Sequence, residues 1–518
     1  MSESVDDLFA RYGHRYRALV TITGMTASFT MVLMGTTVNV AVPNVMGTFG
    51  VGQDMAQFMA TAFMATMTAS QLLNAWFIGK FGARTTFTIV LTIFTIGALL
   101  SATAPTLEII LFGRVLQGFA AGVVQPLVMV TIIRVFPRDR RGTAMSVYAI
   151  GLVLAIGLGP VVGGITIDAV GWRNIFYIPL PLVAFCLIMG SFFMPTEPDE
   201  SRRKPFDFIG YGLLCVALFC LMWGIANGQR QGWGSDSIVS YLTVGVLAAV
   251  AFVQSQMRPN AGLLDMTIIT NYKFLAAAVV AMVYGVGNFS TTYAVPVFGQ
   301  LIQGLTPTLA GMMLLPASVA ALLALPLTGW LSDNVRTDYL IFAGLSMFSL
   351  GVGLLADADV NTSFVYIAVA GMIGRVGMAF VTPGLMSAAL GAVPESKLNA
   401  ASGQINFLRQ LGGAFGINVV VALMERRGEF HADALTATQV ASNSATTEYV
   451  QRASDALFGS GHHQALTDLL ALEHLSQMVE SQANTMAFQD GFMMIALVFV
   501  FAMLPAWVMS RSNRPAAR

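Results

Sequence analysis

The sequence predicts an all-α membrane protein of fourteen transmembrane helices, arranged as two six-helix bundles with two extra helices between them. Three observations carry that expectation. Of the 518 residues, 56% are hydrophobic and only 10% are charged, with a mean hydropathy of +0.70. A soluble domain carries about 25% charged residues, so much of this surface faces an apolar solvent. Fourteen apolar runs follow one another, each long enough to cross a hydrocarbon core of ~30 Å as a helix. Short stretches of the first half also return in the second, about 255 residues later.

A polar segment, 1–17, precedes the first run and carries no signal-peptide cleavage pattern. The first six spans fall at 18–42, 57–79, 86–104, 107–132, 143–166 and 174–194, forming an N-terminal bundle over 18–194. A linker with spans 7 (208–227) and 8 (238–256) occupies 195–273. Spans 9 to 14 lie at 274–298, 307–328, 339–356, 363–391, 402–424 and 489–509, a C-terminal bundle over 274–509 followed by a tail at 510–518. A polar insertion, 425–488, separates the last two spans, and its stretch "QALTDLLALEHLSQMVESQA" has near-helical apolar spacing that predicts a surface helix.

An even number of spans puts both ends on one side. With that side inside, 19 of the 27 Lys and Arg lie in inside segments and only five outside, so the termini are expected in the cytoplasm and the insertion outside. The repeat has specific anchors. "AWFIGK" (75–80) returns as "GWLSDN" (329–334), "RVLQG" at Arg114 as "RVGMA" at Arg375, and "TAMS" (143–146) as "NAAS" (399–402). Each copy falls at an equivalent place in spans 2 and 10, 4 and 12, or 5 and 13. Internal repeats of this kind are common in transporters, with substrate sites at the repeat interface. Six helices need roughly 200 residues at ~20 apolar residues per span plus connections, so the longer offset makes room for two more.

Polar residues inside the runs are the candidate functional groups. Span 1 carries Asn39. Span 2 is rich in Met, an adaptable binding surface, with Gln71 and Asn74 as polar handles. In span 4, Arg114 lies roughly 10 Å below the start of the helix, with Gln117 on the same face and Gln125 further on. A central Arg costs on the order of 2.5–3.5 kcal/mol, so Arg114 is expected to face water or a polar ligand between the halves, with Asn39 as a neighbour. In span 5, Gly151, Ala155, Gly159 and Gly163 form a stripe that lets another helix approach closely. Pro160 bends the helix there, and Gly164 extends the glycine pattern. The combination predicts a helix that seals one side of a central cavity. Span 9 offers Tyr284, Asn288 and Tyr293 to a greasy cavity suited to hydrophobic compounds.

Other chemistries find no support. The three cysteines are scattered through apolar runs and the five histidines lie outside them, so no metal set is expected. Gly79-Lys80 is not followed by Ser or Thr, so there is no phosphate loop, and no zinc-protease pair or serine elbow occurs. The chain is expected to be no enzyme and to need no cofactor. A net charge of zero gives no basic face for nucleic acid.

The motifs in order, "TTVNVAVP" (36–43), "WFIGKFGARTTF" (76–87), "GRVLQGFAAG" (113–122), "GLGPVVGG" (157–164), "MMLLPASV" (312–319), "GRVGMAFVTP" (374–383) and "ASGQINFLRQLGGAFG" (401–416), resemble the fourteen-spanner drug:proton antiporters of the major facilitator superfamily, the EmrB/QacA type. The resemblance runs from about residue 20 to 424 and resumes weakly in the last span. It implies the major facilitator fold, a bacterial inner-membrane location, and alternating-access efflux of lipophilic compounds coupled to protons. It also implies a cytoplasmic latch between the halves formed by Lys80, Gly82 and Arg84, with an acid in the second copy at Asp333, and closure of the outer side by span 5. Arg114 would support coupling, and Arg114 with Arg375 would otherwise bind an anionic substrate. The insertion would be a docking surface for a periplasmic adaptor reaching an outer-membrane channel. One departure stands out. Met34 occupies the position where many relatives carry an Asp, and no acid falls within the middle of a span. Coupling is therefore expected either through a rim carboxylate, Glu108 or Asp168, or through an anionic amphipath, such as a fatty or phenolic acid, that brings its own proton. A non-transporting sensor or an importer on the same fold remains the other class of reading.

Overall fold

A computed structural model describes residues 5–136, 141–196, 206–258, 263–394, 397–440, 442–459 and 464–511. Among the described residues all regular elements are helical, and thirteen helices are long and apolar enough to cross a membrane. The remaining passage is the expected second span. It is made by Phe58–Gln71 and, after a turn at Leu72 and Leu73, by the start of the helix Asn74–Thr103. That helix is interrupted at Gly82 (φ 77°, ψ 167°), where span 2 passes into span 3. Only glycine takes this backbone conformation cheaply, so the reversal is written into one residue.

Span 1 also breaks. The helix Arg15–Thr37 tightens into a 3₁₀ turn, Val38–Ala41, and resumes as Val42–Phe49, with Pro43 in its first turn. Proline supplies no N–H and fits that position. Spans 4 and 5 are continuous, Leu107–Val135 and Arg141–Val170, the latter running unbroken through Pro160. Span 10 is split into Pro307–Met312 and Leu315–Asn334.

Glycine contacts reproduce the sequence repeat in three dimensions. A Cβ on Gly97 of span 3 would lie 2.6 Å from the carbonyl of Gly113 in span 4. Their counterparts Gly351 and Gly374, in spans 11 and 12, meet in the same way, with a Cβ on Gly351 only 2.5 Å from the Gly374 nitrogen. Small residues let membrane helices pack backbone to backbone where lipid gives no hydrophobic drive. The two bundles are therefore built on one plan.

Spans 7 (Phe208–Gln231) and 8 (Asp236–Gln256) pack on each other and cover the seam where spans 2 and 13 meet. Ala69, Leu214, Leu218, Phe252, Leu264 and Phe407 form one apolar cluster there, and Phe58 stacks on Trp223.

The insertion differs from the expected isolated surface helix. Span 13 is one helix from Leu398 to Thr436, and the last helix runs without interruption from Gln464 to Arg511. The helix-favouring insertion sequence thus extends the two spans out of the bundle instead of lying beside it. The Asp490 carboxylate clips the extensions together by accepting from Arg427 and pairing with His431 Nε2 at 2.8 Å. The helix Ser444–Gly459 packs against the last helix.

Candidate functional site

The two halves meet closely along spans 5 and 10, and the contact uses one helical face. A Cβ on Gly157 would lie 2.4 Å from Ser318 Cβ, Gly311 abuts the Pro160 carbonyl, and Gly164 abuts the Pro307 carbonyl. Asp168 extends the same face by accepting from the Thr308 N–H at 2.9 Å. The predicted stripe is a different face. Gly151, Gly159 and Gly163 pack on Met25, Thr36 and Thr37 of span 1, within the first half, and Ala155 is buried. Span 5 therefore has small residues on two sides, one for its own bundle and one for the opposite half. The sequence stripe identified the first, and only Pro160 and Gly164 of the expected set touch the second. These contacts lie in the half of span 5 nearer the insertion. Two further bonds join the halves there: Asn39 Nδ2 donates to the Thr292 carbonyl (3.4 Å) and Gln300 to the Val40 carbonyl (3.0 Å).

Arg114 does not face a chamber. It is 0% exposed, sealed inside the first bundle. Its Nε donates to the Met59 carbonyl and its Nη1 to Gln117 Oε1, both at 2.7 Å, and the guanidinium lies 4.2 Å from the centre of the Phe63 ring. The cause is the packing of span 4 on span 2. Gly118 and Gly122, one turn apart, sit so close to the Phe63 and Met67 carbonyls that a Cβ would approach them to 2.3 and 2.1 Å. That contact buries the side chain beneath the facing helix. Nη2 is buried without a hydrogen-bond partner. Asn39 instead points across to span 9. Glu108 is exposed in the first turn of its helix.

Arg375, the repeat partner of Arg114, has the more open setting. It is half-buried and donates to Asn288 Oδ1, to the Asn288 carbonyl (3.4 Å) and to Thr292 Oγ1. Thr292 is also the residue that Asn39 reaches from the other half, so a polar chain Asn39–Thr292–Arg375 crosses the interface. Arg409 of span 13, also half-buried, lies over the Tyr284 ring at 6.0 Å, and the Tyr284 hydroxyl accepts from Thr382 at 3.2 Å. Among the described residues neither arginine forms an ion pair with a carboxylate. Tyr284 and Asn288 thus share one cationic site. Thr292 and Arg409 were missed as site residues, the first because threonines are common in these runs, the second because no repeat partner marked it.

The other expected residues scatter. Gln125 faces Met67 Sδ, and its carbonyl accepts from Tyr148, which also reaches Ser28, so this patch lies within the first bundle. Gln71 is half-buried and Asn74 buried. Tyr293 is not beside Asn288 but one turn nearer the insertion. Lys80 is exposed, its ammonium over Trp76 and Phe81 at 4.8 and 5.3 Å. Arg84 binds the end of span 6, Nε to the Met194 carbonyl (2.7 Å) and N–H to that of Pro195 (2.9 Å). The Asp333 side chain lies outside the described residues.

Comparison with known proteins agrees with this architecture. The family model described as Major Facilitator Superfamily matches residues 24–417. The chain is 23% identical over 491 residues to the multidrug export protein EmrB of Haemophilus influenzae, covering 94% of this chain and 95% of that protein. It is 27% identical to the multidrug resistance protein Stp of Mycobacterium tuberculosis, covering 79% of this chain and 76% of that protein. It is 24% identical to the lincomycin resistance protein LmrB of Listeria monocytogenes, with 77% and 85% covered. The fold is shared with the POT family transporter PepTSo, at a TM-score of 0.61 and 15% identity, covering 96% of this chain and 99% of that one. A paired-bundle helical protein, sealed across spans 5 and 10 and matched over most of its length, belongs to the Major Facilitator Superfamily.

Proposed function

We propose that this chain exports lipophilic small molecules across a bacterial inner membrane by alternating access, driven by inward proton movement. The observation that carries the reading is the seal itself. Spans 5 and 10 close backbone to backbone in the half of span 5 nearer the insertion, with a polar, cationic site beside them. The lysine and arginine distribution supports an outer insertion face and cytoplasmic termini. The relatives named for multidrug and lincomycin resistance support export. Exposed Leu466, Leu469 and Leu472 on the last helix suit docking of a periplasmic adaptor that leads to an outer-membrane channel. The test is efflux of a fluorescent lipophilic dye from proteoliposomes under an imposed pH gradient. Dye flux is expected to follow the gradient, and indifference to it counts against proton antiport.

A second reading, export of anionic amphipaths, is favoured by Arg375 and Arg409, which bring positive charge within the spans beside Tyr284 and Asn288. Intramembrane charges of this kind mark function by default. Arg375→Gln and Arg409→Gln should each reduce transport of a fatty acid about tenfold more than that of a neutral dye, a difference of about 1.4 kcal/mol. Equal losses for both probes would remove this reading.

A further inference from the structure

Between the halves, at the insertion face, lies a group of carboxylates that the export reading leaves unused. Asp54, in the short helix Gln53–Ala56 after span 1, is only 4% exposed. Glu425, on the extension of span 13, is half-buried where that helix packs on Gln53–Ala56, within the electrostatic reach of Asp54. Arg230, at the end of span 7, brings its Nε to 3.4 Å from Asp54 Oδ2 but is itself 54% exposed. Glu429 follows one turn after Glu425 and faces the same site. Glu480 of the last helix lines a cavity of about 450 Å³ together with Glu425 and Gln53. On the same helix as Glu425, Arg426 is exposed and Arg427 is engaged by Asp490 and His431.

Tyr293 supplies an independent observation. It is 1% exposed, and its hydroxyl sits by the Gln53 amide, facing Glu425 and Asp54. Neither that hydroxyl nor the Gln53 Nε2 completes a hydrogen bond of ordinary geometry. A buried group left unpaired costs about 1–3 kcal/mol. The hydroxyl is thus a donor held ready beside two acids. Two carboxylates sharing a desolvated site cannot both stay ionised cheaply, and burial together with the charge of Asp54 pushes the Glu425 carboxyl up to about 8. Arg230, largely in solvent, offsets only part of the negative charge of Asp54, Glu425 and Glu429.

We propose that Asp54 and Glu425 form a single-proton site that bridges the two halves and loads from the insertion-face solution as that face closes. The proton moves from water onto a carboxylate oxygen, and no other bond changes. Closure brings the two acids together out of water, so the closed state binds the proton more tightly than the open one. Linkage then requires acid at that face to favour closure. An exporter needs this direction, because a transporter emptied to the outside must be driven shut. The role in transport rests on the proton-antiport reading, whereas the site itself does not.

The experiment uses the full chain in lipid nanodiscs, its three cysteines replaced by alanine, with spin labels at Gly47→Cys and Val360→Cys. A Cβ at Gly47 meets open space and Val360 is exposed, and the two sites lie on opposite halves at the insertion face. Distance distributions are measured across a pH series. The closed-to-open ratio is expected to rise at least about tenfold from alkaline to acid pH, which is ~1.4 kcal/mol of differential proton binding. Glu425→Gln and Asp54→Asn should each flatten that response, Tyr293→Phe should shift its midpoint, Glu429→Gln should lower the midpoint without removing the response, and Glu448→Gln, exposed on the helix Ser444–Gly459, should leave it in place. A response that persists in both acid variants, or is missing from the unsubstituted chain, overturns the proposal. Dye efflux without a pH requirement sinks proton antiport instead, so the two failures read separately.

Discussion

Arg114 is held within its own bundle, sealed from solvent between spans 4 and 2. A cation in an apolar run signalled function, and the repeat gave it a partner in Arg375. The structure separates the two: Arg375 contacts residues lining the interface, while Arg114 is bound to the Met59 carbonyl and Gln117 beneath span 2. What decided the outcome was Gly118 and Gly122, read as part of a family motif and not as a packing surface. Replacing Arg114 by Ala leaves the Gln117 amide and the Met59 carbonyl without their donor. Arg114→Ala should therefore lower folded-state stability by about 1–3 kcal/mol, with Arg114→Lys intermediate, read as thermal unfolding in detergent. Unfolding of Arg114→Ala at the wild-type temperature would contradict this structural role.

At the scale of the element, span 5 offers a sharper contrast. Gly159 and Gly164 are both glycines of one motif, yet one faces Thr36 within its bundle and the other faces Pro307 across the interface. Gly159→Val should destabilise the first bundle in any conformation. Gly164→Val should instead disfavour closure, making a cysteine placed at Asn39 more reactive to a membrane-impermeant thiol reagent, by about tenfold for ~1.4 kcal/mol of bias. Equal labelling in the two backgrounds would refute the division of faces. Another element-level contact is polar. Asp265 of the linker pairs with Lys397 at the start of span 13 at 2.8 Å. Burial alone would raise the Asp265 carboxyl, but the hydrogen bond and charge of Lys397, with help from Thr267, outweigh it and hold the group below its ordinary range. A lowered folded value means the contribution is present at neutral pH and is lost as pH falls through that value, below about 4. Asp265→Asn should flatten the acid side of a melting-temperature profile, and an unchanged acid limb would show the pair to be inert.

Across the whole molecule, hydropathy and the repeat made the helix count and the paired bundles legible, because span length and small-residue spacing are local properties of the chain. The candidate site was less so. Asn288 and Tyr284 were recognised as polar residues in an apolar run, but Thr292 and Arg409 acquire meaning only from helices distant in sequence, 83 residues away for the Thr292–Arg375 contact. Asp54 and Glu425 escaped because they sit just beyond the expected span ends, where acids are ordinary. The insertion was read by its amphipathic pattern, and that pattern cannot say whether a helix ends before the membrane or runs into it.

The last helix has a mechanical consequence. Its 48 residues, from Gln464 to Arg511, make a single rod of roughly 72 Å at 1.5 Å per residue. A few degrees of tilt in the second bundle then become several ångströms of sweep at the distal tip. Anything bound at that tip would feel each movement of the second bundle, and would in turn stall it by holding the lever still.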